Sequence, residues 1–127
     1  MHLFDLIILI DDDPINNLIN KRLISKLAIC NDIVEFSEAE KALEYLKNTD
    51  GAGNLILLDI NMPVMNGWDF LTCYADLKDR IEESIIMLSS SIDHQDRQKS
   101  RTFNFVQDFI EKPLTREKLA RVLKKEL

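Results

Sequence analysis

The sequence predicts an α/β fold in which helices cover both faces of one parallel β-sheet. Five short apolar segments alternate along the chain with five segments of helical pattern, which is the order typical of a parallel sheet with crossover helices. The first apolar segment, residues 6–10, is entirely aliphatic, as expected of a strand buried on both faces. With only three glycines and three prolines, the chain has little of the composition of a disordered linker.

The apolar segments predict strands at residues 6–10, 32–36, 55–58, 85–88 and 105–110. The first helix is expected to begin at Pro14, which suits the first helical position, with Asp13 as its N-cap. Residues 37–40 have the pattern of a capping box for the second helix, and Thr115 is expected to cap the fifth. The fourth helix, residues 93–102, is strongly polar and has a poor apolar stripe.

Apolar spacings of three and four residues predict which side of each remaining helix is buried. The expected buried residues are Ile15, Leu18, Ile19, Leu23 and Leu27 in the first helix; Ala39, Ala42, Leu43 and Leu46 in the second; Phe70, Leu71, Tyr74 and Leu77 in the third; and Leu119, Val122, Leu123 and Leu127 in the fifth.

Length and charge exclude several classes of function. A chain of 127 residues fits one domain, residues 1–127, and a net charge of −6 disfavours nucleic acid or an anionic membrane as a partner. The longest apolar run, residues 6–10, is too short to span a bilayer. Cys30 and Cys73 lie too far apart in sequence for a zinc motif, and we expect a reduced, cytoplasmic protein without disulfides.

Polar side chains follow four of the predicted strands at their carboxyl ends, where ligands bind in sheets of this class. These residues are Asp11, Asp12 and Asp13 after the first strand, Asp59 after the third, Ser89 after the fourth and Lys112 after the fifth. Clustered carboxylates imply a bound cation, and oxygen ligands favour Mg²⁺. A nearby lysine can neutralise a phosphoryl group, and an aspartate can be the nucleophile that accepts it. The pattern therefore indicates phosphoryl transfer.

Four motifs carry a resemblance to a known family. They are Ile8-Leu9-Ile10-Asp11-Asp12-Asp13-Pro14, Leu57-Leu58-Asp59-Ile60-Asn61-Met62-Pro63 with Asn66-Gly67, Met87-Leu88-Ser89-Ser90, and Phe109-Ile110-Glu111-Lys112-Pro113. In this order, and over almost the whole chain, they resemble the receiver domains of two-component response regulators. The resemblance implies a flavodoxin-like, doubly wound (βα)5 fold with strand order 2-1-3-4-5.

The resemblance also implies a role for each motif residue. Asp59 corresponds to the phosphoacceptor. The expected Mg²⁺ ligands are Asp12, Asp59 and the backbone carbonyl of Asn61, with Asp11 acting through a water. Asp13 is expected to cap the first helix instead, because three adjacent side chains cannot all point inward.

The remaining motif residues would respond to the phosphoryl group or shape the loops around it. Lys112 corresponds to the lysine that contacts phosphoryl oxygens, and Ser89 to the hydroxyl that senses phosphorylation, although Ser90 and Ser91 adjoin it. Phe109 corresponds to an aromatic switch and fits an ordinary core position equally well. The loop residues Pro63, Gly67 and Pro113 also match the family pattern.

The implied function is a signalling switch that is phosphorylated by a sensor histidine kinase or a phosphotransfer protein and catalyses only its own phosphorylation and dephosphorylation. Because the sequence ends shortly after the fifth helix, we expect output through a downstream protein partner, or a role as a phosphate relay. A receiver module from a hybrid histidine kinase would look similar. A Mg²⁺-dependent phosphohydrolase with an aspartyl nucleophile is an alternative, but phosphohydrolases of the haloacid dehalogenase type carry a second aspartate at the position where Asn61 stands.

The sequence supports only less specific interpretations for several other residues. His94 and His2 suit a solvated surface and a chain terminus rather than a phosphorylated histidine. Trp68 follows the phosphoacceptor loop and suits packing, with metal sensing as the alternative. A flavin-binding module on the same fold would need a loop rich in serine, threonine or glycine where this chain has three aspartates. Lys118 is expected on the solvated face of the last helix, with Arg121, Lys124 and Lys125.

Overall fold

The computed structural model describes residues 2–77, 83–91 and 93–127. Its elements in chain order are β1 (Phe4–Ile10), α1 (Pro14–Leu27), β2 (Cys30–Phe36), α2 (Ala39–Leu46), β3 (Asn54–Asp59), α3 (Gly67–Leu77), β4 (Ser84–Ser89), α4 (His94–Ser100), β5 (Val106–Glu111) and α5 (Arg116–Leu123). The strands form one parallel sheet in the order β2-β1-β3-β4-β5, which confirms the predicted fold class and strand order.

Alternate residues of the central strands supply two separate cores, one on each face of the sheet. On one face, Ile8, Ile56 and Met87 belong to a cluster that includes buried residues of α2 and α3. On the other face, Leu9 and Leu57 are adjacent in register and belong to a cluster that includes residues of α1 and α5. Burial on both faces explains why residues 6–10, 55–58 and 85–88 of these strands are all apolar.

The predicted burial of α1 is wrong in its first half. Ile15, Leu18 and Ile19 are exposed by 67%, 46% and 56%, whereas Asn17 and Asn20 are buried. The amide of Asn17 donates to the carbonyl oxygens of Asp11 (3.0 Å) and Phe36 (3.2 Å). These bonds satisfy backbone groups at the ends of β1 and β2, and they turn the asparagine face of the helix inward.

The start of α2 also differs from the prediction. Glu38, not Ser37, is the N-cap residue, and its side chain makes no capping hydrogen bond. The predicted capping box of residues 37–40 therefore does not form. The other predicted caps are confirmed: Asp13 accepts from the Ile15 N–H (2.9 Å), and Thr115 accepts from the Lys118 N–H (3.2 Å).

Most other predicted buried helix positions are correct. Ala39, Ala42, Leu46, Phe70, Leu71, Tyr74, Leu119 and Val122 are buried, while Leu43, Leu77 and Leu123 are partly buried. Leu127 is also partly buried, but it lies beyond the end of α5 and not in the helix as predicted. The polar helix α4 has no buried residue. Few apolar contacts therefore hold α4 to the sheet, as expected of an element that can shift at low energetic cost. Among the described residues, no helix is both long and apolar enough to cross a membrane.

Candidate functional site

Three aspartates meet at the carboxyl edge of the sheet. Asp11 follows β1 and Asp59 ends β3, and both are only 2% exposed, whereas Asp12 is exposed. Each offers one carboxylate oxygen, and these oxygens all lie within 4.8 Å of one another. Neighbouring parallel strands place their carboxyl ends at the same edge, so residues 48 positions apart can share one site.

Lys112 lies beside the two buried aspartates. Its ammonium nitrogen Nζ is 3.0 Å from Asp11 Oδ2 and 3.1 Å from Asp59 Oδ1. The backbone N–H of Lys112 donates to the Ser89 carbonyl oxygen at 2.7 Å, which extends the pairing between β4 and β5 beyond Glu111. The lysine is thus held at its backbone by the sheet and at its side chain by the carboxylates.

Electrostatics at the site oppose ionisation of Asp59. Burial, and then the negative charge of Asp11, raise the pKa of Asp59 from 3.8 to about 6, against the opposing effects of Lys112 and the Asn61 N–H. Burial also lowers the pKa of Lys112, but its hydrogen bonds and attraction to Asp11 and Asp59 together outweigh that effect and raise its pKa. The negative charge of an ionised Asp59 is therefore energetically unfavourable, and a bound cation would stabilise it.

The donor set fits a hard divalent cation. Asp11, Asp12 and Asp59 supply only oxygen atoms, and Lys112 compensates only part of their charge. Oxygen-only clusters suit hard cations such as Mg²⁺, which keeps several of its waters in proteins. Asn61 is exposed beside this cluster, and its backbone N–H donates to Asp59 Oδ1 at 3.3 Å. The three predicted metal-ligating aspartates are thus brought together, with Asn61 adjoining them.

Ser89 ends the neighbouring strand β4 and is buried. Its hydroxyl donates to the Ser91 carbonyl oxygen (2.7 Å) and accepts from the Ser91 N–H (3.3 Å). Of the three consecutive serines, Ser89 alone is buried, whereas Ser90 and Ser91 are exposed. The hydroxyl is satisfied within its own loop, so any bond from it to a group on Asp59 would replace these local bonds.

Phe109 lies inside the protein, in the core beneath this edge, and is 8% exposed. Its ring centroid is 6.2 Å from that of Trp68, and Trp68 stacks on Phe103 at 6.0 Å. Lys99 of α4 places its ammonium 5.5 Å from the Trp68 ring centroid. These contacts connect the start of α3, next to the site, to α4 and β5. They make Trp68 a packing residue that contacts α4 directly.

The loop between β3 and α3 is shaped by a close backbone approach at Gly67. The Gly67 N–H donates to the Ile60 carbonyl oxygen at 2.8 Å. A β-carbon at Gly67 would lie 2.8 Å from the Asp59 carbonyl oxygen and 2.9 Å from the Ile60 α-carbon, which no larger residue can tolerate. Pro63 accepts from the Met65 N–H at 2.7 Å, and Pro113 follows a cis peptide bond after Lys112.

Two residues near the site were not predicted from the sequence. Asn17 links the ends of β1 and β2 through its amide, and the only sequence signal was a polar residue within the first helix. Lys118 was assigned to a solvated face, yet its ammonium donates to the carbonyl oxygens of Glu111 and Pro113. Its position in the first helical turn, where acidic residues are preferred, was the available signal.

Comparison with known proteins agrees with this geometry. The family model described as "Response regulator receiver domain" matches residues 7–124. The chain is 31% identical over 118 residues to "Two-component response regulator 24" of Arabidopsis thaliana, covering 93% of this chain and 81% of that protein. It spans about half or less of the length of several other relatives, for example 53% of a rice response regulator and 44% of an Escherichia coli transcriptional regulatory protein.

Solved structures with the same fold include two bacterial proteins. A response regulator receiver protein from Dyadobacter fermentans superposes with a TM-score of 0.83 at 25% identity, covering 94% of each chain. A two-component response regulator from Cytophaga hutchinsonii superposes with a TM-score of 0.80 at 30% identity, covering 95% of each chain.

Proposed function

Because the chain belongs to the response regulator receiver family, whose members are phosphorylation-dependent signalling switches, we propose that Asp59 is its phosphoacceptor. The observation that carries this proposal is the position of the Asp59 carboxylate. It is buried at the sheet edge, 3.1 Å from the Lys112 ammonium and within one cluster with Asp11 and Asp12. Phosphoryl transfer needs a nucleophile, charge neutralisation and alignment, and these four side chains can provide all three.

In the proposed reaction, a carboxylate oxygen of Asp59 attacks the phosphorus of a phosphohistidine. The new oxygen–phosphorus bond forms as the nitrogen–phosphorus bond breaks, and the bonding electron pair leaves on the imidazole nitrogen. The Lys112 ammonium, already beside Asp59, neutralises charge on the phosphoryl oxygens. Asp11, Asp12, Asp59 and the Asn61 carbonyl would hold Mg²⁺, which supplies further charge neutralisation when it is bound.

The signal would leave the site through Ser89 and Phe109. A dianionic phosphoryl group needs new hydrogen-bond donors, and the Ser89 hydroxyl lies at the end of the adjacent strand. Because that hydroxyl now bonds within its own loop, moving toward Asp59 would rearrange residues 89–91. Phe109 packs on Trp68, which contacts Lys99 of α4, so a change here would reach a helix with no buried residue.

Receiver domains act with histidine kinases or phosphotransfer proteins, and we expect this chain to take its phosphoryl group from such a donor in the cytoplasm. We propose that it passes the signal to a protein partner. We also expect no steady turnover of external phosphate esters. The rival phosphohydrolase would need a general acid two residues after its nucleophile, and that position is Asn61, whose amide cannot serve as one.

The test is phosphorylation by acetyl phosphate with Mg²⁺, followed by the intact mass of the chain. Wild type should gain one phosphoryl group that is labile to base. Asp59→Asn should gain none, whereas Asp76→Asn, which removes an exposed carboxylate of α3, should label like wild type. Labelling of Asp59→Asn at the wild-type level would refute the assignment.

A further inference from the structure

The side chain of Lys118 bridges the two peptide carbonyls that flank Lys112. Its ammonium nitrogen Nζ donates to the Glu111 carbonyl oxygen at 2.8 Å and to the Pro113 carbonyl oxygen at 3.1 Å. Glu111 ends β5 and Pro113 lies in the loop that leads to α5. A single side chain thus holds the main chain on both sides of the lysine that contacts Asp11 and Asp59.

The position of Lys118 contradicts the usual preference of a helix start. Thr115 is the N-cap of α5 and accepts from the Lys118 backbone N–H, which makes Lys118 the third residue of the helix. The amino end of a helix carries partial positive charge, so acidic residues are favoured there and a cation is not. A lysine at this position needs compensating contacts, and the two carbonyl oxygens provide them. Local rules are most often broken in this way near functional sites.

The two bonds restrain the main chain on either side of Lys112, whose own N–H and ammonium are held by other contacts. Its backbone N–H is fixed on the Ser89 carbonyl oxygen at 2.7 Å, and its ammonium is fixed on the carboxylates. The loop from residue 112 to residue 115 has to turn from the sheet edge into α5 between these contacts. Without a restraint on its carbonyls, this turn could shift the Lys112 α-carbon and misplace its ammonium.

We propose that Lys118 is a positioning residue that holds Lys112 in place for contact with the phosphoryl group on Asp59. The inference goes beyond the proposed function and depends on it, because Lys118 itself touches neither Asp59 nor the carboxylate cluster. It acts through the backbone of Lys112. Its loss should weaken binding of a phosphoryl group and not binding of the cation, because the cation is held by oxygen ligands and a displaced Lys112 competes less with it for Asp11 and Asp59.

The experiment compares two ligands in the same chain. Beryllofluoride, which mimics an aspartyl-phosphate, is titrated with saturating Mg²⁺, and Mg²⁺ is titrated alone. Binding of both is followed by the fluorescence of Trp68, the sole tryptophan, or by amide NMR shifts. Lys118→Met should weaken beryllofluoride binding by about fivefold or more, the effect of losing a typical hydrogen bond, and should not lower Mg²⁺ affinity. Lys118→Arg should restore binding, since a guanidinium can also donate to two carbonyls.

Lys125→Met is the matched control, because it removes an exposed lysine that follows the same helix. It should bind both ligands like wild type. Equal beryllofluoride affinity of Lys118→Met and wild type would overturn the proposal. So would a parallel loss of both ligands with a lower melting temperature, since that is the pattern of a purely structural residue. If Lys118→Met does not fold, Lys118→Ala takes its place with the same expectations.

Failure of this proposal can be distinguished from failure of the proposed function. A wild-type chain that binds no beryllofluoride in the presence of Mg²⁺ overturns Asp59 as phosphoacceptor, and with it the role of Lys118. If wild type binds beryllofluoride and Lys118→Met binds it equally well, the positioning role alone is overturned.

Discussion

Replacing Asp59 with asparagine should stabilise the fold at neutral pH when no divalent cation is present. The carboxylate of Asp59 is 2% exposed and lies in one cluster with Asp11, so its negative charge is unfavourable in the folded chain. The burial and the charge of Asp11 raise its pKa from 3.8 to about 6. Asparagine has nearly the same shape and no charge, and it therefore removes this cost while keeping the packing.

The expected magnitude follows from the pKa. A rise from 3.8 to about 6 corresponds to about 3 kcal/mol of unfavourable free energy for the ionised group, and it already includes the attraction of Lys112. The free energy of unfolding of Asp59→Asn should therefore exceed that of wild type by up to about 3 kcal/mol at neutral pH. An effect of this size is large beside the total stability of a small domain, about 5–15 kcal/mol.

The difference should depend on pH in a definite direction. The pKa of Asp59 is higher in the folded than in the unfolded chain, so the folded chain retains a proton between pH 3.8 and about 6 that the unfolded chain has lost. The stability contributed by this proton is fully present below pH 3.8 and is lost as the pH rises through about 6. The advantage of Asp59→Asn should thus be greatest above pH 6 and disappear toward pH 4.

The assay is urea unfolding followed by circular dichroism with a chelator present, at neutral pH and near pH 4.5. Asp76→Asn serves as the control, because an exposed carboxylate should show no comparable pH-dependent difference. Two results would refute the reasoning: Asp59→Asn no more stable than wild type at neutral pH, or an advantage that is equally large near pH 4.5.

Three further changes test other parts of the site. Asp12→Ala should abolish Mg²⁺ binding in calorimetry while the chain stays folded, because Asp12 is an exposed member of the carboxylate cluster; unchanged affinity would move the ligand role to the other aspartates. Ser89→Ala should still accept a phosphoryl group, but the amides of α4 should shift less on beryllofluoride binding than in wild type. Equal NMR shifts of α4 in Ser89→Ala and wild type would show that Ser89 does not transmit the signal. Val64→Gly should raise the free energy of unfolding by about 0.5–1 kcal/mol, because Val64 is 97% exposed with a φ of 67°, a conformation that costs a β-branched residue about 1–2 kcal/mol. A less stable variant would show that Val64 makes a contact of its own.

The residues of the candidate site could be predicted because strand ends are easy to recognise in this sequence. The apolar run of β1 stops at Asp11, β3 ends at Asp59, and β5 is followed by Lys112. Parallel strands place their carboxyl ends at a common edge of the sheet. The positions of the strand ends in the sequence were therefore enough to predict that these distant residues lie close together. The salt bridges of Lys112 to Asp11 and Asp59 agree with that expectation.

The inner face of α1 could not be predicted in the same way. Apolar residues occur at helical spacing on two sides of this helix, and the spacing favoured the side of Ile15, Leu18 and Ile19. The structure buries Asn17 instead, because its amide satisfies two backbone carbonyls that lie 6 and 19 residues away. These partners are main-chain groups that only the fold brings close to Asn17. The pattern of apolar residues in the sequence therefore cannot predict the hydrogen bonds.

Lys118 escaped prediction for a related reason. A lysine in an amphipathic helix is expected on a solvated surface. The carbonyl oxygens of Glu111 and Pro113 come within reach of Lys118 only through the conformation of the loop after β5. Residue type shows that a lysine can donate to carbonyl oxygens, but only its three-dimensional position decides which carbonyl oxygens accept.

The most direct test of the central claim is transfer of a phosphoryl group from a phosphorylated histidine kinase or phosphotransfer protein to this chain. A panel of such donors is incubated with the chain and Mg²⁺, and the product is reduced with borohydride, which converts an aspartyl-phosphate into homoserine. The account predicts loss of phosphate from at least one donor and homoserine at position 59 in the peptide mass spectrum. Transfer that leaves Asp59 unmodified and labels another residue would contradict it.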